Sequence, residues 1–342
     1  MSASKGFLNE VKAVKVTGLG LCFGLMALLC LPAAPAYALS NRTWVSGVGS
    51  DLNPCTRTAP CLTFQLAHDT AAAGGEINCL DSGGFGSVII TKAISILCEG
   101  VVGGLLSNLS NGVTVNAGAG DVVVLRGLDI TGIGIAGPGI TGVRFFAGAA
   151  LHIENCRIRG FNVPSGWGIE FLPNAAAELY VTDTTVSNNG LASGGGIRVQ
   201  APAGSTSKVT INRSDVQNNI FGIKADGTGT GGGAVPSGGV INMTIRDTAS
   251  VGNSSNGIVG TTVAGGAAIV TMVDRSAASH NAAGFGIIAD GPATTIRIGG
   301  SSITGNANGV GASNGGTLLS FKTNQIRGNS SDGTPLAADN LD

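Results

Sequence analysis

The chain has 342 residues, of which 57 are glycine, and its 19 basic and 20 acidic residues leave a formal net charge of −1. This balance gives no basic footprint for nucleic acid. The glycines follow no three-residue period, which excludes a collagen triple helix. Aromatic residues make up only 4% of the sequence. Together these features favour a long, narrow core of Val, Ile, Leu and Ala over a thick globular one.

The segment over residues 1–38 has the pattern of a cleaved export signal. A basic segment precedes an apolar run over residues 16–31, and Ala36-Tyr37-Ala38 then forms a small-x-small cleavage pattern. The apolar run is too short for a transmembrane span, and no second hydrophobic span follows. We therefore expect cleavage near Ala38 and a secreted or periplasmic protein with no stable membrane span.

Five cysteines lie beyond this segment, and four of them fall between positions 55 and 98. An oxidising compartment permits disulfides, and we predict the pairs Cys55–Cys61 and Cys79–Cys98. Four cysteines nevertheless allow three connectivities. A zinc site is the alternative, but no Cys-x-x-Cys spacing occurs, so we predict no metal. Cys156 is expected to be a shielded thiol.

Residues 39–75 are predicted to form an N-terminal segment with a helical cap. The apolar residues between Leu62 and Ala73 fall on one side of a helix, and Gly74-Gly75 is expected to end it. A helix here would cover the apolar core and the unpaired strand edges of the domain that follows. His68 and Asp69 are predicted to lie on its solvated face.

From Glu76 onward the chain is predicted to form short strands, and from about Leu128 to Asn329 one unit recurs. Each copy has an alternating apolar and polar run, then a branched or small residue, two spacers and usually asparagine. Successive copies start 23–34 residues apart, as in solenoids with variable loops. The asparagines at this position are Asn189, Asn219, Asn253, Asn281, Asn306 and Asn329.

Each unit contains three strand-like parts, exemplified by Leu151-His152-Ile153, by the run ending at Val186, and by Gly168-Ile169. With every second side chain pointing inward, three strands per turn predict a coil of triangular section. Stacked coils place equivalent residues about 4.8 Å apart, so the asparagines would form a ladder. A sandwich or barrel also fits many short strands, but it does not explain the repeat. We predict about ten coils over residues 76–330 and a polar tail over residues 331–342.

Two sets of motifs resemble the right-handed parallel β-helix, or pectin lyase-like, superfamily of exported bacterial proteins. They are the N-terminal run Asn53-Pro54-Cys55…Pro60-Cys61-Leu62-Thr63-Phe64 and the recurrent Ile/Val-x-x-Asn…Gly-Ile units, which together cover about residues 41–329. The resemblance implies an all-β, right-handed, single-stranded parallel β-helix solenoid with three short parallel sheets and an N-terminal capping helix. These motifs are specific for the fold and weak for any one activity.

In that superfamily the groove along the first strand of each coil commonly holds oligosaccharide. Carried over by position, this implies two outward columns of side chains, one from His152 to Ser320 and the other from Glu154 to Lys322. His152, Glu154 and Tyr180 form the densest polar cluster in these columns. The residues that the resemblance implies for substrate binding are Arg126, His152, Glu154, Tyr180, Arg246, Asp274 and Arg297.

Polysaccharide lyases of this fold typically need acidic residues for calcium and a base, and glycoside hydrolases need paired carboxylates. Glu154 and Asp274 stand four coils apart, about 19 Å at the strand spacing, so they cannot act as one pair. We therefore predict a non-catalytic protein, monomeric and without a cofactor, that binds polysaccharide or cell-surface glycan or serves a structural role. The alternative is a polysaccharide lyase or glycoside hydrolase with His152, Glu154 and Tyr180 as candidate catalytic residues.

Overall fold

The structure is a computed structural model that describes residues 39–133, 137–229 and 235–340. The predicted export signal, residues 1–38, lies outside the described residues. Residues 39–342 form one compact unit. Its described part contains one short helix, Phe64–Thr70, and strands that pair in parallel with the strands of neighbouring coils. No helix in this part is long and apolar enough to cross a membrane.

A complete coil contributes one strand to each of three sheets, and the coils at the two ends are incomplete. All bounds below refer to the described residues. The first sheet has 12 strands: Ser40–Val45, Ala71–Cys79, Ile94–Leu97, Val122–Arg126, Ala150–Glu154, Ala177–Thr182, Thr206–Asn212, Val240–Arg246, Ala268–Asp274, Thr294–Gly299, Thr317–Ser320 and Ala337–Ala338. The second has 10: Gly83–Gly84, Gly103–Leu106, Leu128–Thr131, Arg157–Arg159, Thr185–Ser187, Asp215–Gln217, Ala249–Val251, Ala277–Ser279, Ser302–Thr304 and Gln325–Ile326. The third has 9: Val88–Ile90, Val113–Asn116, Thr141–Ala147, Trp167–Phe171, Gly195–Val199, Phe221–Asp226, Ile258–Thr261, Phe285–Asp290 and Asn308–Ser313.

Neighbouring coils pair in register. His152 lies beside Tyr180 of the next coil, and Tyr180 lies beside Thr210 of the coil after that. Equivalent residues of successive coils therefore form columns. The chain is a parallel β-helix. The predicted all-β architecture with three short parallel sheets is confirmed.

Alternation along the strands builds the core. In the strand Ala150–Glu154, Leu151 and Ile153 are fully buried, and the side chains of His152 and Glu154 are partly exposed on the outer face. Leu179 and Val181 repeat this pattern in the next coil. Each fully buried aliphatic side chain contributes about 1.5–3 kcal/mol. Columns of such side chains, rather than one central cluster, hold the solenoid together.

The six asparagines lie in a row at the corner between the second and third sheets. Asn253 Oδ1 accepts hydrogen bonds from the backbone nitrogen of Asn219 (3.1 Å) and from Asn219 Nδ2 (3.3 Å). The same pair of bonds joins the other successive members of the row. The left-handed backbone of this corner belongs to the residue before the asparagine, such as Asn218 with φ of 56°.

A second ladder runs parallel to the first, at the corner between the first and second sheets. There a small side chain of each coil accepts a hydrogen bond from the backbone nitrogen of the equivalent residue one coil earlier. Both ladders satisfy backbone groups that are buried at a tight turn, where an unpaired group costs about 1–3 kcal/mol. The members of the second ladder are Cys156, Thr184, Ser214, Thr248, Ser276, Ser301 and Asn324.

The helix is shorter than predicted. It spans Phe64–Thr70, and Ala71 has extended backbone and begins the second strand of the first sheet, so Gly74-Gly75 is not its end. The Thr63 side chain caps it by accepting a hydrogen bond from the backbone nitrogen of Leu66 (3.3 Å). Phe64 is fully buried, so the helix contributes to the core at this end of the solenoid.

The prediction that His68 faces solvent is wrong, because its side chain is only 3% exposed. His68 Nε2 accepts a hydrogen bond from the backbone nitrogen of Thr91 (3.2 Å), and Nδ1 lies 2.9 Å from Asp69 Oδ1. The helix packs against the strand Val88–Ile90, which ends just before Thr91. This contact between distant segments buries a face that looks polar in the sequence.

Both predicted disulfides, Cys55–Cys61 and Cys79–Cys98, are confirmed. Cys156 is the one free cysteine among the described residues, and it is 4% exposed. Its Sγ donates to the backbone oxygen of Glu154 (3.2 Å). Burial raises the pKa of this thiol to about 12, so it stays protonated and shielded at neutral pH.

The outward columns end differently from the prediction. Leu319, not Ser320, lies beside Arg297, and Ser320 is 5% exposed. Lys322 lies beyond the end of its strand, Thr317–Ser320. The strand Thr317–Ser320 is shifted by one residue from the predicted register, which moves a side chain to the other face.

Candidate functional site

Seven polar side chains from five consecutive coils touch one another on the outer face of the first sheet. We call them the first-sheet row: Glu99, Arg126, Glu154, His152, Tyr180, Glu178 and Lys208. At its N-terminal end Arg126 bridges two carboxylates, with NH1 at 3.1 Å from Glu99 Oε1 and NH2 at 2.6 Å from Glu154 Oε2. These hydrogen bonds, first the one to Glu154, raise the pKa of Arg126. Arg126 is therefore held as a fixed cation.

The centre of the row is a pair of stacked rings. The His152 and Tyr180 rings lie 4.6 Å apart between centroids, with 15° between their planes. Adjacent, in-register strands bring these two rings together, because equivalent side chains of neighbouring coils stand one strand spacing apart. His152 Nδ1 lies 3.9 Å from Glu154 Oε1. The Tyr180 hydroxyl donates to Glu178 Oε2 at 2.5 Å.

Glu178 and Tyr180 shift each other's titration in opposite directions. The hydrogen bond from the Tyr180 hydroxyl, together with that from Lys208 (3.1 Å), lowers the pKa of Glu178. The same bond to Glu178 raises the pKa of Tyr180. At neutral pH Glu178 is thus an anion and Tyr180 a neutral hydroxyl. Neither group is tuned to transfer a proton in the way that a general acid or base must be.

Glu154 and Glu178, the two carboxylates that flank the rings, stand on neighbouring strands. Glu178 lies beside Ala150, four positions before Glu154 on the neighbouring strand. Four positions correspond to about 13 Å between Cα atoms along the strand direction. Each carboxylate is held by its own partners, Glu154 by Arg126 and Glu178 by Tyr180 and Lys208. Among the described residues, no group of three or more His, Cys, Asp or Glu side chains forms a potential metal site.

Three further residues that the resemblance implies for substrate binding, Arg246, Asp274 and Arg297, do not form one cluster. Arg246 Nε lies 3.6 Å from Asp274 Oδ2, but Arg275 approaches the same carboxylate more closely, at 2.7 Å. Arg297 pairs instead with Asp339 of the C-terminal segment, at 2.5 Å. Arg246, Asp274 and Arg297 are therefore tied into local ion pairs. The first-sheet row is the more extended of the two polar arrangements.

A cluster that the sequence analysis missed lies on the outer face of the third sheet. We call it the third-sheet cluster. It consists of one charged column, Arg144, Glu170, Arg198 and Lys224, together with the carboxylate of Asp226. The Glu170 side chain is 7% exposed and the Asp226 side chain 0%. Arg198 bridges these two carboxylates, with NH1 at 3.4 Å from Glu170 Oε1 and NH2 at 2.8 Å from Asp226 Oδ2. Buried charges persist in a fold only when paired in this way.

Burial and neighbouring charges act together on the pKa values of Lys224 and Asp226. Desolvation is the largest influence on Lys224 and lowers the pKa of its ammonium group. For Asp226 desolvation is also the largest influence and acts upward, but Lys224, Thr228 and Arg198 outweigh it, so the pKa of Asp226 is lowered. Thr228 Oγ1 donates to Asp226 Oδ1 at 2.6 Å. Asp226 is consequently ionised although it is fully buried.

A sequence signal for this cluster existed. In successive units the residue after the Gly-hydrophobe pair is charged, as in Gly142-Val143-Arg144 and Gly168-Ile169-Glu170. The structure places these charged residues side by side in one column. The Gly-hydrophobe pairs identify the third strand of each unit, but the prediction did not extend to the residue that follows each pair. Glu99, Glu178 and Lys208 were missed for a related reason, because they stand outside the two columns that were aligned.

A comparison with solved structures finds the crystal structure of pectate lyase Pel9A, with a TM-score of 0.43 and 13% sequence identity. The match covers 85% of this chain and 72% of that chain. No protein-family model and no curated protein matches the sequence. The assignment of the parallel β-helix therefore rests on the strand pairing itself.

Proposed function

We propose that this protein binds a polysaccharide along the outer face of its first sheet and does not cleave it. The observation that carries the proposal is the first-sheet row, a chain of touching polar side chains that crosses five coils along the solenoid axis. Its members remain accessible, from 30% exposure for the Glu154 side chain to 66% for Lys208. A linear polymer that runs along the axis would meet donors and acceptors at every coil.

The row suits binding better than chemistry. Its charges are already oriented by their neighbours, so ligand hydroxyls would meet groups that lose little side-chain freedom on binding. The His152–Tyr180 pair adds a rigid aromatic surface beside hydrogen-bonding groups. The opposed pKa shifts of Glu178 and Tyr180 disfavour acid–base cleavage.

We also propose that the protein acts outside the cytoplasm. Two disulfides in the described residues fit an oxidising compartment, and the segment over residues 1–38 has the pattern of a signal peptide. Export with cleavage after Ala38 would give a mature protein whose first residue is Leu39. N-terminal sequencing of the protein from culture fluid and from the periplasm tests both the cleavage site and the destination.

A glycan array on the purified protein tests the binding proposal. We expect binding to at least one polysaccharide, and we expect His152→Ala and Tyr180→Ala to weaken it by about tenfold or more. Arg157→Gln, an exposed change on the second sheet, is the matched control and should leave affinity within about twofold. Binding that survives both ring substitutions would contradict the assignment of this face.

The same glycans, incubated with the protein, separate binding from catalysis. Reducing ends report hydrolysis, and absorbance of unsaturated products reports elimination. We expect neither signal. Robust cleavage that is abolished by Glu154→Gln, in a variant that unfolds at the wild-type temperature, would replace the binding proposal with an enzymatic one.

A further inference from the structure

A depression of about 410 Å³ opens on the outer face of the third sheet, beside the third-sheet cluster. Three cations line it, Arg144, Arg198 and Lys224, together with one carboxylate, Glu170. Asp226, the second carboxylate of the cluster, is fully buried. The accessible wall of this cavity is therefore positive, although the whole chain carries a formal charge of −1.

Two of the cationic groups in this wall are poorly supplied with acceptors. Arg144 Nε is buried and has no hydrogen-bond partner, and Glu170 Oε2 lies 3.6 Å from it. Lys224 Nζ lies 3.7 Å from Asp226 Oδ2 and 5.5 Å from the centroid of the Phe221 ring. The Lys224 side chain is only 19% exposed, so water solvates its charge poorly. An anion in the cavity would supply what both groups lack.

The cavity is built on a rigid base. Trp167 is 2% exposed and stacks towards Phe221, with 6.4 Å between ring centroids and 13° between planes. The indole passes over Gly195, where an added Cβ would lie 2.8 Å from a Trp167 ring carbon. The absence of a side chain at this one position lets the indole lie flat across the strand. Ser165 and Ser193 place hydroxyl groups at the rim, 3.2 Å from each other.

We propose that this cavity binds a small organic anion. The three cations hold its negatively charged group, and Ser165 and Ser193 are within reach of its other polar groups. A volume of about 410 Å³ is more than ten times the roughly 30 Å³ that one water molecule occupies in the liquid. It lies in the range typical of small-molecule sites and exceeds what a bare inorganic ion would fill.

This site is independent of the polysaccharide face. It lies on a different sheet, shares no residue with the first-sheet row, and recognises a charged group rather than a run of hydroxyls. The glycan experiment above and the experiment below can therefore succeed or fail separately.

The first test is isothermal titration of the protein with probes that share one sugar body: D-glucuronate, glucose 6-phosphate and glucose 6-sulfate. Glucose is the uncharged match, and sodium phosphate and sodium sulfate supply the oxyanion alone. We expect at least one charged sugar to bind, with glucose weaker by about tenfold or more. The proposal is overturned if no charged sugar binds up to about 10 mM, if glucose binds equally, or if the inorganic ions bind as tightly as the sugars.

The second test uses variants of the wall. Arg144→Met and Lys224→Met should each weaken binding of the charged sugar by about tenfold or more, while Arg157→Gln and His152→Ala leave it within about twofold. Lys224→Met removes a partner of buried Asp226, so its unfolding temperature is measured as well. Arg144 is 31% exposed and its loss is milder, so this variant decides the matter if Lys224→Met fails to fold. Wild-type affinity in folded Arg144→Met would overturn the proposal.

Discussion

The corner between the second and third sheets is filled in two different ways along the chain. From Asn189 onward a buried asparagine occupies the corner, and it bonds to the backbone and the amide of its neighbour. One coil earlier Phe161 stands there, fully buried, with its ring against glycine backbone: a Cβ added at Gly132 or Gly139 would lie 2.7 Å from a ring carbon.

The asparagine ladder continues from coil to coil, and it ends at the coil in which the ring of Phe161 fills the corner. Each asparagine before Asn329 donates to the asparagine one coil further on, and at Asn329 the Asp332 carboxylate accepts these bonds instead. At the boundary the last free oxygen, Asn189 Oδ1, accepts from the backbone nitrogen of Phe161 at 3.2 Å. The coils before this boundary are stabilised by ring packing, including Phe145 on Phe171 (4.6 Å), and by two disulfides.

The largest effect on the asparagine ladder is expected from Asn253→Leu, which keeps the branched shape of the side chain and removes the amide. The backbone nitrogen and Nδ2 of Asn219 both lose an acceptor. At about 1–3 kcal/mol for each orphaned buried group, we expect a loss of about 4 kcal/mol in the free energy of unfolding. Urea denaturation measures it, with exposed Ser254→Ala as the control. A loss below about 1 kcal/mol would mean that the ladder is not a stabilising element.

Phe161→Asn asks whether the ladder can simply be extended. The new amide could reach Asn189, but the ring that fills the space over Gly132 and Gly139 is gone. Removing a buried Phe side chain costs about 3–5 kcal/mol, and a new hydrogen bond returns about 1 kcal/mol. We expect a net loss of about 3 kcal/mol. An unchanged or higher stability in the same denaturation assay would show that the two corners are interchangeable.

The smallest effect is expected at Cys156, the first member of the small-residue ladder. Burial raises the pKa of its thiol to about 12 from a reference of 9.0. Because the folded-state value is raised, this contribution is complete below pH 9 and is lost as pH rises towards 12. Between about pH 9 and 10 we expect the wild type to lose about 1 kcal/mol relative to Cys156→Ser. Parallel stability curves for the two proteins across this window would contradict the shift.

Features of the fold that depend on local spacing could be predicted from the sequence. The asparagine positions and the alternation in Leu151-His152-Ile153 repeat within each unit, so coil architecture and register could be predicted. The burial of His68 could not, because it depends on Thr91 and the strand before it, which belong to a later part of the chain. The column position of Ser320 could not either, because loops of variable length conceal a shift of one residue.

The candidate sites show the same difference between features set by local spacing and features set by contacts with distant residues. His152 and Tyr180 were placed together correctly by aligning one strand of each unit, and their stacking follows from in-register pairing. The third-sheet cluster needed a separate alignment of the third strands. Its burial also depends on Trp167 crossing Gly195, a side-chain arrangement that no periodicity encodes.

The two covalent bridges both lie near the start of the solenoid, closing segments with sequence separations of 6 and 19 residues. A chain that crosses a membrane with its N-terminus leading would deliver these four cysteines before any later coil has emerged. The earliest turns would then be locked while the rest is still in transit. Since each further turn pairs only with the one before it, the locked turns would serve as a seed on which the remaining chain winds in the order of its arrival.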